Sequence, residues 1–406
     1  MDLFNLDEPI INSLLEDDLY KWSMDQCILH RYPGVNVKVK FKCRTKGVNL
    51  RPLIPEINEQ LDHLCRLKFD KSELEYLSGI RWFKPDFIDY LRMLELDRNQ
   101  IHVEEDSNED CGIKIWAEGA WRTVIWFEIP VLAIVQELYM QHYCKENSID
   151  MVALEVEGKR RLDAMIRKFG FNSDLGFTLA DFGIRRRFSG PWQDYVVKQF
   201  SSEIPNVFVG TSNVALAKKY NIHPIGTFAH ELFMGIAGTN VRASEVQKTT
   251  LQAWADEYRG DLGIALSDIY GFNAFLKDFD LYFAKLFDGC RHDSGDPIKW
   301  GEMLIEHYKK LRIDPRTKTG VWSDSLDEDK AIKIATHFKN RIKVSFGIGT
   351  RLCNNLGIEP LSIVMKLIES NGCPTCKLSD CDSKQMCEDP ATVEWFKKVY
   401  NWCPIS

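Results

Sequence analysis

Seven times along this chain a short apolar run ends at a cluster of polar residues. Phe177-Thr-Leu-Ala180 runs into Asp181-Phe-Gly-Ile-Arg-Arg-Arg187, Val207–Val209 into Gly210-Thr-Ser-Asn213, and Pro224-Ile225 into Gly226-Thr-Phe-Ala-His-Glu231. Ile264–Leu266 runs into Ser267-Asp-Ile-Tyr270, and the run opening at Phe287 into Arg291-His-Asp-Ser-Gly-Asp296. Val321-Trp322 runs into Ser323-Asp-Ser-Leu-Asp327, and Ile342–Phe346 into Gly347-Ile-Gly-Thr350. Helical spacing fills most of the intervals, notably 241–258, 298–311 and 327–339. Alternating strand and helix predicts parallel strands joined by crossovers. Polar clusters at the C-terminal ends of all seven strands point to an irregular, about seven-stranded α/β barrel over 151–358. An open doubly wound sheet would gather its site at one switch point instead.

The first 150 residues read differently. Val35, Val37, Val39 and Phe41 alternate with lysines, and Gly112–Glu118 alternates similarly; both are strands with one wet face. Helical spacing marks Arg51–Cys65, Ser72–Leu77, Pro85–Leu96 and Glu128–Cys144. Residues 1–150 therefore form an α+β domain with an antiparallel sheet. Residues 359–406 read as helix and turn without further polar strand ends, and are expected to pack back on the first domain.

At 406 residues, 45% hydrophobic and 27% charged, the chain is long enough for two cores and ordinary in composition. A net charge of −7 argues against nucleic acid as partner. The N-terminus has no signal-peptide pattern, and the apolar run Ile129–Val135 is too short to span a membrane. A cytoplasmic protein is expected, with its twelve cysteines reduced. Cys373-Pro-Thr-Cys376 with Cys381 and Cys387 leaves two readings open, a zinc site or a loop of reduced thiols.

The loop Arg291–Pro297 puts two carboxylates three residues apart beside an arginine. Carboxylates accept from sugar hydroxyls or hold Mg²⁺, and arginine pairs with phosphate oxygens, so the loop suits a phosphorylated polyol. Gly347, Gly349 and Thr350 fit a backbone cradle for a phosphate.

With these loops in hand the chain resembles the nicotinate phosphoribosyltransferases, type II phosphoribosyltransferases, over nearly its full length. The resemblance runs from Ser13-Leu-Leu-Glu-Asp-Asp-Leu-Tyr-Lys21 and Val39-Lys-Phe-Lys-Cys-Arg44 through the seven loops. It continues to Lys377-Leu-Ser-Asp380 and Met386-Cys-Glu-Asp-Pro390. It departs at Cys373, Cys376 and Cys381 and at Gly271-Phe272. The resemblance implies transfer of phosphoribosyl from phosphoribosyl pyrophosphate to nicotinate on the salvage route to NAD. It also implies ligase-type coupling to ATP as co-substrate through a phosphorylated histidine, Mg²⁺ as cofactor, and a homodimer whose sites share a tyrosine from the partner.

Residue by residue, it implies phosphorylation at His230, with Glu231 placed to orient it or assist with its proton. Asp293 holds the ribose hydroxyls, and Asp268 is a second carboxylate for ribose or metal. Asp296 is assigned to Mg²⁺. Arg291 spans phosphate and base, Thr227 binds substrate, and Gly347, Gly349 and Thr350 receive the 5′-phosphate. Tyr20, which alone reads as a core aromatic, walls the pyridine ring with Phe182. Arg185 takes the nicotinate carboxylate, with Arg186 and Arg187 reaching phosphates or acidic neighbours, and neutral Ser212 favours the acid over the amide; one or two of the three arginines form a solvated or salt-bridged surface run. Nicotinamide and quinolinate transferases are the alternatives within the fold. Outside it, the alternative is a non-catalytic nucleotide-binding barrel serving as a sensor.

Overall fold

In the computed structural model, which describes every residue except Met1, Asp7, Asp382, Ser383 and Ser406, two sheets share one continuous core. Three strands lie in the first part of the chain: β1 (Asn36–Cys43), β2 (Ile101–Glu105) and β3 (Ile113–Ala120). The remainder follow as β4 (Phe177–Asp181), β5 (Phe208–Thr211), β6 (His223–Pro224), β7 (Arg259–Leu262), β8 (Ile264–Leu266), β9 (Gly289–His292), β10 (Thr319–Trp322), β11 (Lys343–Ile348), β12 (Ile363–Ser370) and β13 (Cys373–Pro374).

The expected barrel is a curled half-barrel of seven strands, ordered β6-β5-β4-β11-β10-β9-β8, with every neighbouring pair parallel. Its seven strands are those marked by the seven apolar runs. Its edges, β6 and β8, do not pair with each other. The Thr227 hydroxyl bridges this seam by donating to the Ile264 carbonyl at 2.9 Å. Helices cover the outer face; Val246–Tyr258, Pro297–Lys310 and Glu328–Phe338 fill the three intervals expected to be helical.

The second sheet is antiparallel, ordered β13-β12-β1-β3-β2. Val37, Val39 and Phe41 of β1 are buried, as period-two patterning dictates. One element departs from the sequence reading. Residues 363–370, taken as helix or turn, form β12, which lies beside β1 with Val37 opposite Ser370 and Cys43 opposite Ile363.

Helical stretch Trp121–Glu146 is long and apolar enough by composition to cross a bilayer, although only Ile129–Val135 stood out in the sequence. It is a core helix, with 89% of its most apolar window buried. Helix Leu19–Arg31 docks on the half-barrel where the strands end. The Leu19 N–H donates to the Ser212 carbonyl at 2.9 Å, and the Ser23 hydroxyl to the Thr227 carbonyl at 2.5 Å. The antiparallel sheet, this helix and the tail residues Lys377, Lys384 and Met386 thereby roof the C-terminal ends of the parallel strands.

Candidate active site

A cavity of about 740 Å³ opens between the strand ends and that roof. The C-terminal ends of β9 and β11 and the loops after β4, β9 and β11 line its floor with Phe182, Arg185, Arg291, Asp293, Gly347, Gly349 and Thr350. Tyr20 and His230 complete the wall. Among the described residues the lining holds nine cations, Arg44, Arg161, Arg185, Arg186, Arg291, Arg351, Lys366, Lys377 and Lys384. Against them stand four carboxylates, Glu128, Asp293, Asp324 and Glu359. A chain of net charge −7 has thus concentrated positive charge in one concave place, which selects for a polyanion.

His230 opens the helix His230–Ala237. Its Nε2 lies 2.7 Å from an Asp268 oxygen and 3.8 Å from Asp293. Burial and the neighbouring Lys377 cation push its pKa down to about 4, against the pull of Asp268, so the ring is neutral at physiological pH. A neutral ring bonded to a carboxylate carries its proton on Nε2, which leaves the Nδ1 lone pair free. Asp268 is fully committed. Its second oxygen accepts from the Ser294 hydroxyl at 2.7 Å and the Ser379 hydroxyl at 3.2 Å. Burial pushes this carboxyl up, but His230, Lys377 and Ser294 outweigh it and hold it well below the usual range.

Of the two aspartates beside His230, Asp293 is the one that lines the cavity. Burial and Asp268 push it up, yet Arg291 and Lys377 keep it below the usual range and therefore ionised. The buried Nε of Arg291 has no hydrogen-bond partner among the described residues, an orphan donor at the edge of an anion-sized space. Arg185 packs its guanidinium 5.8 Å from the Tyr20 ring centre, with its Nε 3.4 Å from Asp18. Arg187 is structural, buried against Glu16 at 3.0 Å and Glu137 at 3.5 Å. Gly347 has a second role beyond a phosphate cradle: a Cβ there would collide with the Phe182 ring.

Several assignments need correcting. Glu231 does not orient His230; its oxygens accept from Trp121 Nε1 at 2.9 Å and from Lys21, and Asp268 does the orienting. Thr227 is spent on the seam of the sheet and does not line the cavity. Ser212 is buried beside Asp18 and does not line the cavity. Asp296 caps the helix Pro297–Lys310, accepting from the Lys299 N–H at 2.7 Å, and does not line the cavity. Among the described residues His230, Asp268 and Asp293 form the only group of three potential metal ligands. Of the four tail cysteines, Cys376 and Cys387 lie within hydrogen-bonding reach of each other, and among the described residues no three of them come together as ligands for one ion. Tyr20 lines the cavity of its own chain.

Other site residues went unread. Lys366 lies on β12 and Lys377 and Lys384 in the tail, Arg44 just past β1, and Glu128 at the start of helix Glu128–Glu146. Burial pushes the Lys366 ammonium down to about 8 despite Glu128, 3.6 Å away.

So strong a cationic excess at the strand ends of a parallel α/β sheet defines the class, an enzyme acting on a polyphosphorylated substrate. Comparison with known proteins gives the family. Residues 177–403 match the family model described as nicotinate phosphoribosyltransferase, and residues 15–136 match the model of that family's N-terminal domain. The chain belongs to the nicotinate phosphoribosyltransferase family. It is 48% identical over 400 residues to nicotinate phosphoribosyltransferase of Chromobacterium violaceum, covering 97% of each chain. It is 46% identical over 396 residues to that of Xylella fastidiosa strain 9a5c, covering 97% of this chain and 98% of the relative. The crystal structure of the Vibrio cholerae enzyme superposes with a TM-score of 0.92 at 36% identity, covering 99% of this chain and 96% of the other. That from Porphyromonas gingivalis gives 0.88 at 30%, covering 97% and 100%.

Proposed function

We propose that this chain transfers phosphoribosyl from phosphoribosyl pyrophosphate to nicotinate, releasing pyrophosphate, and that ATP drives the reaction through a phosphorylated His230. The observation that carries the reading is the cation-lined cavity, which brings two aromatic walls and a neutral, carboxylate-held histidine to one wall-to-wall space. The pyridine nitrogen displaces pyrophosphate from the ribose carbon. Charge then spreads over sugar and leaving group, so the protein positions and neutralises rather than attacking covalently. Tyr20 and Phe182 stack the ring and Arg185 takes its carboxylate. Asp293 accepts from the ribose hydroxyls and stabilises the cationic sugar. Lys377, Lys384 and Arg291 meet phosphate oxygens, and Gly349 and Thr350 offer backbone N–H groups.

In the coupling step the Nδ1 lone pair of His230 attacks the γ-phosphorus of ATP and ADP leaves. Asp268 stabilises the positive charge that the ring gains. Hydrolysis of the N–P bond by water returns the neutral ring. Of the carboxylates here, Asp293 fits Mg²⁺, since it is ionised and faces the cavity. Asp268 is already engaged, and imidazole is a poor Mg²⁺ ligand. When bound, Mg²⁺ would neutralise pyrophosphate oxygens. We assign the chain to the reducing cytosol, where its twelve cysteines would stay as thiols.

The test is turnover of phosphoribosyl pyrophosphate with nicotinate, nicotinamide and quinolinate in parallel, in wild type and in His230→Asn. Nicotinate alone should turn over. The variant should lose ATP hydrolysis and phosphate labelling yet keep a slow ATP-independent transfer. Labelling on another residue, or ATP hydrolysis kept in step with synthesis, removes His230 from the coupling role.

A further inference from the structure

Behind the cavity wall lies a lysine that neither the transfer nor the coupling step uses. Lys21 is 1% exposed and does not line the cavity. Its ammonium meets two carboxylates, Glu128 at 2.7 Å and Glu231. Burial alone would push it towards neutrality, but Glu128 and Glu231 raise its pKa and keep it charged. Glu231 is fixed on its other oxygen by Trp121 Nε1, and the Trp121 ring fills the space where a Cβ of Gly235 would go. Glu128 in turn faces Lys366. Two cations and two carboxylates thus form a balanced buried quartet, in which each charge has a partner.

The placement is more telling than the pairing. Lys21 follows Tyr20, and Glu231 follows His230. In each case one residue faces the cavity and its chain neighbour turns into the ion pair, as expected when successive helical residues point about 100° apart. The Lys21–Glu231 bond is therefore a strut between the ring that stacks the base and the ring that takes the phosphoryl group. The two segments it joins are remote in the chain.

We propose that Lys21 is a positioning residue that sets the distance between Tyr20 and His230, so that the base pocket and the energy-coupling histidine are built as one unit. This rests on the reading of His230 as the coupling residue. A strut shifted by as little as 1 Å changes both sites at once, on a scale of about tenfold or more.

The experiment compares Lys21→Met, Lys21→Arg, Glu231→Gln and the double variant Lys21→Met/Glu231→Gln in the full chain. It reads the thermal midpoint, the KM for nicotinate without ATP, and the ATP hydrolysed per nucleotide formed. Lys21→Met should raise that KM about tenfold and raise the ATP consumed per product, because both geometries loosen. The double variant removes the uncompensated carboxylate, so it should regain thermal stability while KM and the ATP ratio stay displaced. If KM and ratio recover along with stability, the pair acts through folding alone and the proposal is overturned. If Lys21→Met does not fold, Lys21→Arg decides: it keeps the charge but changes the reach, and unchanged kinetics there overturn the proposal. Should wild type form product without consuming ATP, the coupling reading fails by itself, and the nicotinate KM still judges Lys21.

Discussion

Replacing Asp268 by Asn separates orientation from charge at the phosphorylation site. The carboxylate accepts from His230 at 2.7 Å. Protonation of the histidine is not the variable: burial and Lys377 already hold it near 4, and loss of Asp268 removes a group that pulls it up. The ring is neutral at pH 7 either way. Nor does the tautomer change. Ser294 and Ser379 reach the other oxygen, and hydroxyls accept as readily as they donate, so the amide nitrogen settles towards them and its oxygen stays on Nε2. Only the charge is lost. A charge-assisted hydrogen bond contributes about 1.5–3 kcal/mol, which forecasts a fall of roughly 10- to 150-fold in the rate at which labelled ATP phosphorylates His230. Single-turnover labelling measures this directly, and ATP-independent transfer should fall much less. Phosphorylation within about threefold of wild type, in a protein of unchanged thermal midpoint, would refute the claim that Asp268 stabilises the charged ring.

Asp293→Asn should lower kcat for transfer by about 3 kcal/mol in barrier, the scale of one preorganised electrostatic group, and near-normal kcat would remove Asp293 from the ribose. Gly347→Ala should displace the Phe182 ring and raise KM for nicotinate about tenfold with little change in kcat, checked by steady-state kinetics. Ser212→Asp buries a further carboxylate near Asp18 and Asp181 and competes for Arg185; kcat/KM for nicotinate should drop, and an unchanged value with normal stability would free Arg185 from the acid-binding role. On the acid side, the folded chain holds His230 near 4 against about 6.5 unfolded, so the unfolded state binds the extra proton in between. Stability from this group is complete above about pH 6.5 and is lost as pH falls towards 4; thermal midpoints of wild type and His230→Asn should diverge over that window, and parallel curves would show an ordinary histidine.

The half-barrel was legible because most of its strands are largely buried and stop abruptly at polar residues, a contrast that survives without any knowledge of neighbours. β12 was not. Ile363, Met365 and Leu367 are buried at period two, but Val364 and Ile368 put apolar residues on the other face and mask the alternation. That face borders the cavity and not open solvent, as Lys366 shows. The loop residues Asp293, Arg291 and Gly349 were readable from strand ends alone. Lys366, Lys377 and Glu128 were not, because a lysine or glutamate in an amphipathic segment reads as a wet face, and only the tertiary fold turns that face inward. Asp296 was misread although its signal was present: Asp followed by Pro is a helix-start pattern, N-cap then first turn. Glu231 carried no such signal, since its partner Lys21 lies 210 residues away, near the N-terminus.

The pairing of β12 with β1 has a consequence for how the molecule comes into being. Emerging from the ribosome, β1 is flanked on one side by β3, while its other edge stays bare until nearly the whole chain has been made. Such an edge is a template for strands of other chains, and so non-local a pairing is slow to form. Nascent chains should therefore pass through a long interval in which the half-barrel can form but its roof cannot. A stop codon anywhere before Ser370 would leave an open-edged sheet prone to self-association rather than a slower enzyme.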